Sequence, residues 1–237
     1  MDNFSNTPER RPIQDVSAVN SFLTKTYIIM AVAVLVSALT SFLSTTVFRA
    51  SLIHLFSNQA SSWIIILLPF VLSLFISFRA TRNPVASFIL LMVVAVAYGL
   101  TFAVICSVYT TGTVTSAFVS AAAVFITMAI YGTVTKRDLS NIGSYATAAL
   151  IGFIVATIIN MFLKNPMITY IFAYIGVIIF VALTASDAQQ IKKVYAQYAD
   201  QTSSLGLAVL GALQLYLDFI NIFMFFLEIF GMGSDNR

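Results

Sequence analysis

Seven long apolar segments dominate this 237-residue sequence and restrict what it can fold into. A membrane-spanning helix needs about 20 apolar residues and satisfies its backbone hydrogen bonds within itself. Charged residues make up only 9% of the chain, which is too few to cover the surface of a water-soluble globule. The sequence therefore predicts an all-α integral membrane protein with seven transmembrane helices, near residues 26–48, 62–78, 85–108, 114–134, 143–163, 168–190 and 205–231.

The polar ends of the chain flank a single predicted membrane domain. Residues 1–20 are rich in proline, small polar and charged residues, and we expect a disordered cytoplasmic tail there. Residues 21–232 form the seven-helix membrane domain, because no loop between the apolar segments is long enough for a soluble domain. Residues 233–237 form a short external tail.

The basic residues predict the orientation of the helices, because cytoplasmic loops of membrane proteins are enriched in Lys and Arg. One set of loops carries three basic residues, Arg49, Lys164 and Arg237, and the other set carries nine: Arg10, Arg11, Lys25, Arg79, Arg82, Lys136, Arg137, Lys192 and Lys193. The amino terminus is therefore expected in the cytoplasm and, after seven crossings, the carboxyl terminus outside. If one segment only re-entered the membrane, the carboxyl terminus would return to the cytoplasm.

The residue types that carry most enzymatic chemistry are scarce in this chain. The single Cys106 excludes a disulfide framework, and together with the single His54 it leaves no cluster for zinc, iron or haem. No histidine lies inside an apolar segment to activate a serine, and the G-x-x-x-x-G-K motif is absent. Loop topology explains the net charge of +3 better than nucleic-acid binding does. We expect a protein that is not an enzyme, holds no resident cofactor and binds no nucleic acid.

Two aspartates stand inside the predicted helices, where an acidic residue is costly and therefore a functional candidate. Asp187 lies late in the sixth segment and Asp218 midway along the seventh. On adjacent antiparallel helices their depths differ by only about 8 Å, so the carboxyl groups can meet and share one proton near neutral pH. A protonated carboxyl that merely holds helices together is the structural alternative. An intramembrane aspartyl protease also needs two aspartates, but its Tyr-Asp and Gly-x-Gly-Asp motifs are absent.

Further polar residues accompany this pair. Gly211, Gln214, Asp218 and Asn221 are spaced three or four residues apart, which puts them on one face of the last helix. Gln214 and Asn221, with Glu228 near the outer end, are therefore candidate pore-lining residues. Arg79 and Arg82 follow the second segment on the cytoplasmic side, where either can reach a carboxylate or serve only as a topology signal.

Two strings in these regions carry a family resemblance: Thr-Lys-Arg-Asp-Leu-Ser at 135–140 and Leu-Tyr-Leu-Asp-Phe-Ile-Asn at 215–221. With shorter matches from about Phe22 to Gly231, the sequence resembles the Bax inhibitor-1 (transmembrane BAX inhibitor motif) family, and within it the bacterial inner-membrane branch. The resemblance implies a seven-helix fold with the last helix central, in a multi-pass protein of the cell inner membrane.

The resemblance also implies a function. It is that of a pH-sensitive calcium-permeable leak channel, in which Asp187 and Asp218 act as the proton sensor and ion-binding pair. An arginine at the cytoplasmic end of the second helix, Arg79 or Arg82, latches to that pair. The expected partners are the lipid bilayer, calcium and protons, with calcium bound only transiently. Two alternatives stay open: a proton-coupled transporter, and a non-conducting regulator of a membrane protein partner such as a membrane protease.

Overall fold

We describe the protein from a computed structural model that covers residues 16–234. This part of the chain forms eight α-helices joined by short turns: α1 (Val16–Thr46), α2 (Arg49–Phe56), α3 (Gln59–Arg79), α4 (Pro84–Ser107), α5 (Thr111–Val134), α6 (Ser140–Leu163), α7 (Pro166–Tyr198) and α8 (Ser204–Ser234). Six of them, α1 and α4 to α8, are long and apolar enough to cross a membrane. The prediction of an all-α membrane protein is thus confirmed for the described residues.

The predicted segments coincide with helices, with differences at their ends. Residues 16–20, expected in the polar tail, already belong to α1, and the other tail residues, 1–15 and 235–237, lie outside the described residues. The segment 49–61, expected as a loop, contains the short helix α2. Hydropathy finds lipid-spanning segments but cannot detect a short surface helix such as α2, whose sequence Arg-Ala-Ser-Leu-Ile-His-Leu-Phe is of mixed polarity.

The second predicted span is the one that the structure does not establish as membrane-crossing. It lies in α3, which has 21 residues and carries Pro69 in its interior. The first turn of α3 is polar, and within the described residues its apolar stretch is the shorter Leu67–Phe78. The six long apolar helices are confirmed as candidate spans, the predicted count of seven is not confirmed, and the described apolar stretch of α3 is shorter than those of the other six.

The last helix is the centre of the bundle. It packs against α7, α5, α1, α4 and α3. In its most apolar stretch 72% of the residues are buried, whereas no other long helix exceeds 39%. The outer helices instead expose large apolar side chains such as Phe78, Phe162 and Ile178, which is expected of surfaces that face lipid.

Contacts between aromatic rings and one chain of hydrogen bonds hold α8 in this position. Phe219 and Phe223 make edge-to-face contacts with rings of α4 and α5, such as Phe223 with Phe102 at 5.6 Å between centroids. The fully buried Tyr216 hydroxyl hydrogen bonds to the Ser37 hydroxyl (2.7 Å), which donates to the Ala95 carbonyl (2.8 Å). This chain of hydrogen bonds joins α1, α4 and α8 near the middle of the bundle.

Glycines allow α7 to approach its neighbours closely. A Cβ atom on Gly132 of α5 would overlap the backbone carbonyl of Ala185, and one on Gly143 of α6 would overlap the side chain of Ser186. Such close contacts between small residues are a main source of helix association in lipid, where no hydrophobic effect drives helices together. Both contacts lie within two residues of Asp187.

We predict that Gly132→Ala destabilises the protein, because the added methyl group meets backbone atoms that cannot rotate away. Overpacking of this kind costs about 1–3 kcal/mol. The matched control is Gly152→Ala on α6, where a Cβ atom would meet nothing within 4 Å. Thermal unfolding in detergent should show a lower midpoint for Gly132→Ala and an unchanged or higher one for Gly152→Ala. Equal midpoints for the two variants would contradict the close α5–α7 contact.

Candidate functional site

The structure brings Asp187 of α7 and Asp218 of α8 together. The two helices are antiparallel neighbours, and the Asp187 carboxyl lies within hydrogen-bonding reach of both the Asp218 carboxyl and the Gln214 side chain. Asp218 is only 4% exposed, and Asp187 is partly buried. Asp218 therefore lies on the most buried of the long helices described, and the two carboxyl groups meet between α7 and α8, as the sequence analysis expected.

One oxygen atom of this pair lacks a hydrogen-bond partner in the described part of the chain. Oδ2 of Asp218 is buried, and no hydrogen-bond partner in the described part of the chain reaches it. Two ionised carboxylates side by side in an apolar environment repel each other and lack hydration, so a shared proton or a cation is needed to stabilise them. Among the side chains that the structure describes, which do not include that of Arg79, the ion pair found is Lys193 with Asp138, and it involves neither Asp187 nor Asp218.

The pair offers hard oxygen ligands but an incomplete coordination shell. Calcium takes six to eight oxygen ligands. The two carboxylates and the Gln214 amide supply a small number of these, and the described residues contain no group of three or more His, Cys, Asp or Glu side chains that could hold a metal ion. This donor set suits an ion that keeps part of its hydration shell and binds weakly.

The polar side chains predicted on one face of α8 differ in what they contact. Asn221 donates its amide to the Leu217 carbonyl of its own helix (2.8 Å), and Glu228 is half-buried farther along. Between them in the chain the Phe225 ring packs against Gly176 of α7, 2.5 Å from where a Cβ atom would stand, and against Phe153 of α6. An aromatic ring therefore lies between the candidate pore-lining residues Asn221 and Glu228.

A cavity leads toward the pair from the end of the bundle where α8 begins. It has a volume of about 310 Å³ and lies between α1, α3, α7 and α8, with Ser77, Gln190, Gly211 and Gln214 in its wall. Because Gln214 also contacts Asp187, the cavity ends beside the carboxyl pair.

The two predicted latch residues follow Ser77, a residue of the cavity wall, by two and five positions in the chain. Arg79 is the last residue of α3, two positions after Ser77, and its side chain lies outside the described part of the structure. Arg82 is exposed in the turn between α3 and α4. Backbone position therefore favours Arg79 over Arg82 as the nearer residue to the cavity.

A clamp that the sequence analysis missed holds the α7 segment next to Asp187. The buried Gln189 side chain donates to the Arg137 carbonyl (2.8 Å) and accepts from the Leu139 amide (2.9 Å). Both partners belong to the turn between α5 and α6, which contains most of the string at 135–140. The signal available for this clamp was a glutamine late in an apolar segment and two residues after an aspartate. The sequence does not tell which backbone groups the glutamine contacts.

Charged residues of the same turn fasten it to the next turn of α7. Lys193 pairs with Asp138, whose carboxylate also accepts from the backbone and hydroxyl of Ser140. The hydrogen bond from Lys193, followed by those from Ser140, holds the pKa of Asp138 well below its ordinary value, so this exposed carboxyl stays ionised near neutral pH. The string at 135–140 is thus a connection between α5, α6 and α7.

Comparison with known proteins gives matches along most of the chain. The model of a family named Bax1-I and described as "Inhibitor of apoptosis-promoting Bax1" matches residues 19–235. An uncharacterized membrane protein of Streptococcus pyogenes serotype M3 is 40% identical over 217 residues, 91% of this chain and 94% of the relative. Protein YrjE of Lactococcus lactis is 34% identical over 94% of this chain and 96% of its own length. Inner membrane protein YbhL of Escherichia coli K12 is 36% identical over 60% of this chain and 62% of its own length.

We predict that Gln189→Leu destabilises the protein by about 1–3 kcal/mol, because the buried Leu139 amide and Arg137 carbonyl lose their partner. Gln190→Leu is the matched control, since its neighbour Gln190 is exposed and should change stability by no more than about 0.5 kcal/mol. The midpoint of thermal unfolding in detergent measures both. Equal effects from the two substitutions would mean that the clamp contributes nothing.

Proposed function

This chain belongs to the Bax inhibitor-1 family of membrane proteins, and we propose that it is a pH-sensitive, calcium-permeable leak channel gated by Asp187 and Asp218. The single observation that carries the proposal is the buried carboxyl pair with its unpartnered oxygen on the central helix. A pair of this kind responds to protons, and in its ionised form it offers the oxygen ligands that calcium prefers.

The proposed gate closes when the pair holds one proton. The two carboxyls then hydrogen bond to each other and keep α7 and α8 together. Loss of the proton as pH rises leaves two negative charges in contact, which favours separation of the helices and entry of a cation. In this mechanism the described conformation is the closed state, with Phe225 filling the path between Asn221 and Glu228.

The proposed latch is Arg79. Arg79 ends α3 two residues after Ser77, which lines the cavity that reaches Gln214, and we propose that its guanidinium pairs with the remaining negative charge of the aspartates. Pairing of this kind neutralises the closed site and blocks its cytoplasmic entrance. Removal of the arginine should then favour the open state without abolishing the response to protons.

The channel proposal includes a membrane arrangement. We propose that α3 crosses the bilayer as a seventh span, because its 21 residues extend about 31 Å as a helix and the hydrocarbon core is about 30 Å thick. The basic loop residues then favour a cytoplasmic amino terminus and an external carboxyl terminus. The name of the relative YbhL, an inner membrane protein, supports the cell inner membrane as the location.

We predict that calcium flux into vesicles containing the purified protein rises with pH, by up to about tenfold per pH unit if one proton controls the gate. Asp187→Asn and Asp218→Asn should each flatten this dependence, because neither variant can form the doubly charged pair. Arg79→Ala should raise the flux at the pH where the wild type is closed, and Arg82→Ala serves as its matched control. An Asp218→Asn protein with the wild-type pH profile would refute the aspartate pair as sensor.

The same vesicles distinguish the channel from the two other functions. A proton-coupled transporter would show saturation with calcium and flux driven by a proton gradient. A regulator of a membrane protein partner would show no flux and would co-purify with that partner. Either result would replace the channel proposal.

Reporter fusions test the membrane arrangement. We predict an external signal after residue 237 and a cytoplasmic signal after residue 201, between α7 and α8. If α3 does not cross, every later helix is inverted, and the two signals exchange sides. Cytoplasmic signals at both positions would mean that α8 does not cross the membrane.

A further inference from the structure

A second and larger cavity lies at the end of the bundle that carries α2. Its volume is about 840 Å³, within the range of sites that hold drug-sized ligands. α1 and α5 form its two walls and α8 its floor; both walls pack on α8 but share no extensive contact with each other. Phe42 and Phe118 in these walls are 63% and 39% exposed, so the cavity is a cleft with an open side toward lipid.

The cleft changes character along its length. Its inner part is aromatic, with Phe102, Phe219 and Phe223 in the wall. Its outer part contains Thr46 and Arg49 and ends at the starts of α2 and α5. The lining therefore changes from apolar deep in the bundle to polar at the mouth.

The mouth of the cleft carries a basic side chain, Arg49, for which the described residues show no acidic partner. No acidic residue lines the cleft, and no ion pair to Arg49 is recorded within residues 16–234. The helix α2 begins at Arg49 with no side-chain cap, so its first backbone N–H groups are left for an external acceptor. The start of α5, with Thr111 in the wall, adds the positive end of a second helix dipole, and there the Thr110 hydroxyl already accepts from the Thr113 amide. This arrangement complements an anion.

The depth of the cleft matches one leaflet of a bilayer. From Val34 at its inner end to Thr46 near its mouth, α1 rises about 18 Å, which lies between half of the hydrocarbon core, about 15 Å, and half of the whole bilayer, about 20–22 Å. Arg49 then lies at the level of the lipid headgroups. We propose that this cleft binds one anionic phospholipid, with an acyl chain along Phe102 and Phe223 and the phosphate at Arg49. This site goes beyond the proposed channel and does not depend on it.

Native mass spectrometry of the purified protein in detergent tests the site, with phosphatidylglycerol and phosphatidylcholine as the two added lipids. We expect wild type to retain one phosphatidylglycerol more tightly than phosphatidylcholine. Arg49→Gln should weaken phosphatidylglycerol binding about fivefold, the contribution of one basic residue at an anionic headgroup. Lys164→Gln is the matched control, since Lys164 is an exposed basic residue predicted on the same membrane side but absent from the cleft. It should bind like wild type.

A second variant tests the acyl-chain part. Ala38 lines the cleft and is exposed, so Ala38→Trp should fill the space without disturbing the core and should abolish tight binding of either lipid. Unchanged phosphatidylglycerol binding in Arg49→Gln or Ala38→Trp would overturn the proposal. Equal binding of the two lipids by wild type would overturn the anionic headgroup, and absence of any retained lipid would mean a water-filled cleft instead.

Discussion

The burial of two carboxyl groups in contact with each other is the constraint on which the rest of the bundle depends. Asp218 is held on the central helix, and Asp187 is held on a helix that is fixed on its far side by α5 and α6. Unlike the carboxyl group of a surface side chain, neither of these carboxyl groups can reach water by a simple change of rotamer. Their electrostatic repulsion therefore acts on the positions of whole helices. In the proposed mechanism, a change of protonation at this contact is converted into a force between α7 and α8.

The surroundings of Asp187 anchor α7 in this contact. Gly132 and Gly143 allow α5 and α6 to touch α7 within two residues of the aspartate, and Gln189 fastens the next turn to the α5–α6 connection. On the other side, α8 is held by aromatic edge contacts, by the Tyr216–Ser37 hydrogen bond and, near its start, by the close contact of Gly206 with the Ala80 backbone. Both helices are therefore anchored on the sides that face away from the carboxyl pair, and in the proposed mechanism the repulsion of the ionised pair acts between them.

Hydropathy was sufficient to predict the long apolar helices but neither the short α2 nor the arrangement of the bundle. Two predictions are confirmed, the six long apolar helices and the family membership. Both could be made because lipid and shared ancestry constrain the sequence of the apolar segments. The sequence analysis did not predict the short α2, the hydrogen bonds of Gln189 to the α5–α6 turn or the packing of the Phe225 ring against α7. Each of these depends on which backbone or ring lies opposite a side chain in space. The spacing of Gln214, Asp218 and Asn221 correctly indicated a common helix face, yet spacing alone does not reveal that Asn221 bonds to its own helix.

In the proposed channel, the two cavities indicate where the barrier to ions lies. The smaller cavity reaches Leu217 of α8 and the larger one reaches Phe219, so along the helix they end within two residues of each other. Successive residues differ by about 100° around a helix axis, which puts these two on opposite faces, with Asp218 between them in the chain. A modest rotation of α8 would therefore change the walls of both cavities and the environment of Asp218 together. Occupation of the larger cleft by a lipid would oppose that rotation, because the acyl chain would contact Phe219 and Phe223 on the face that has to turn. Lipid binding and proton binding would then act on the same helix from opposite sides, and each would favour the conformation described.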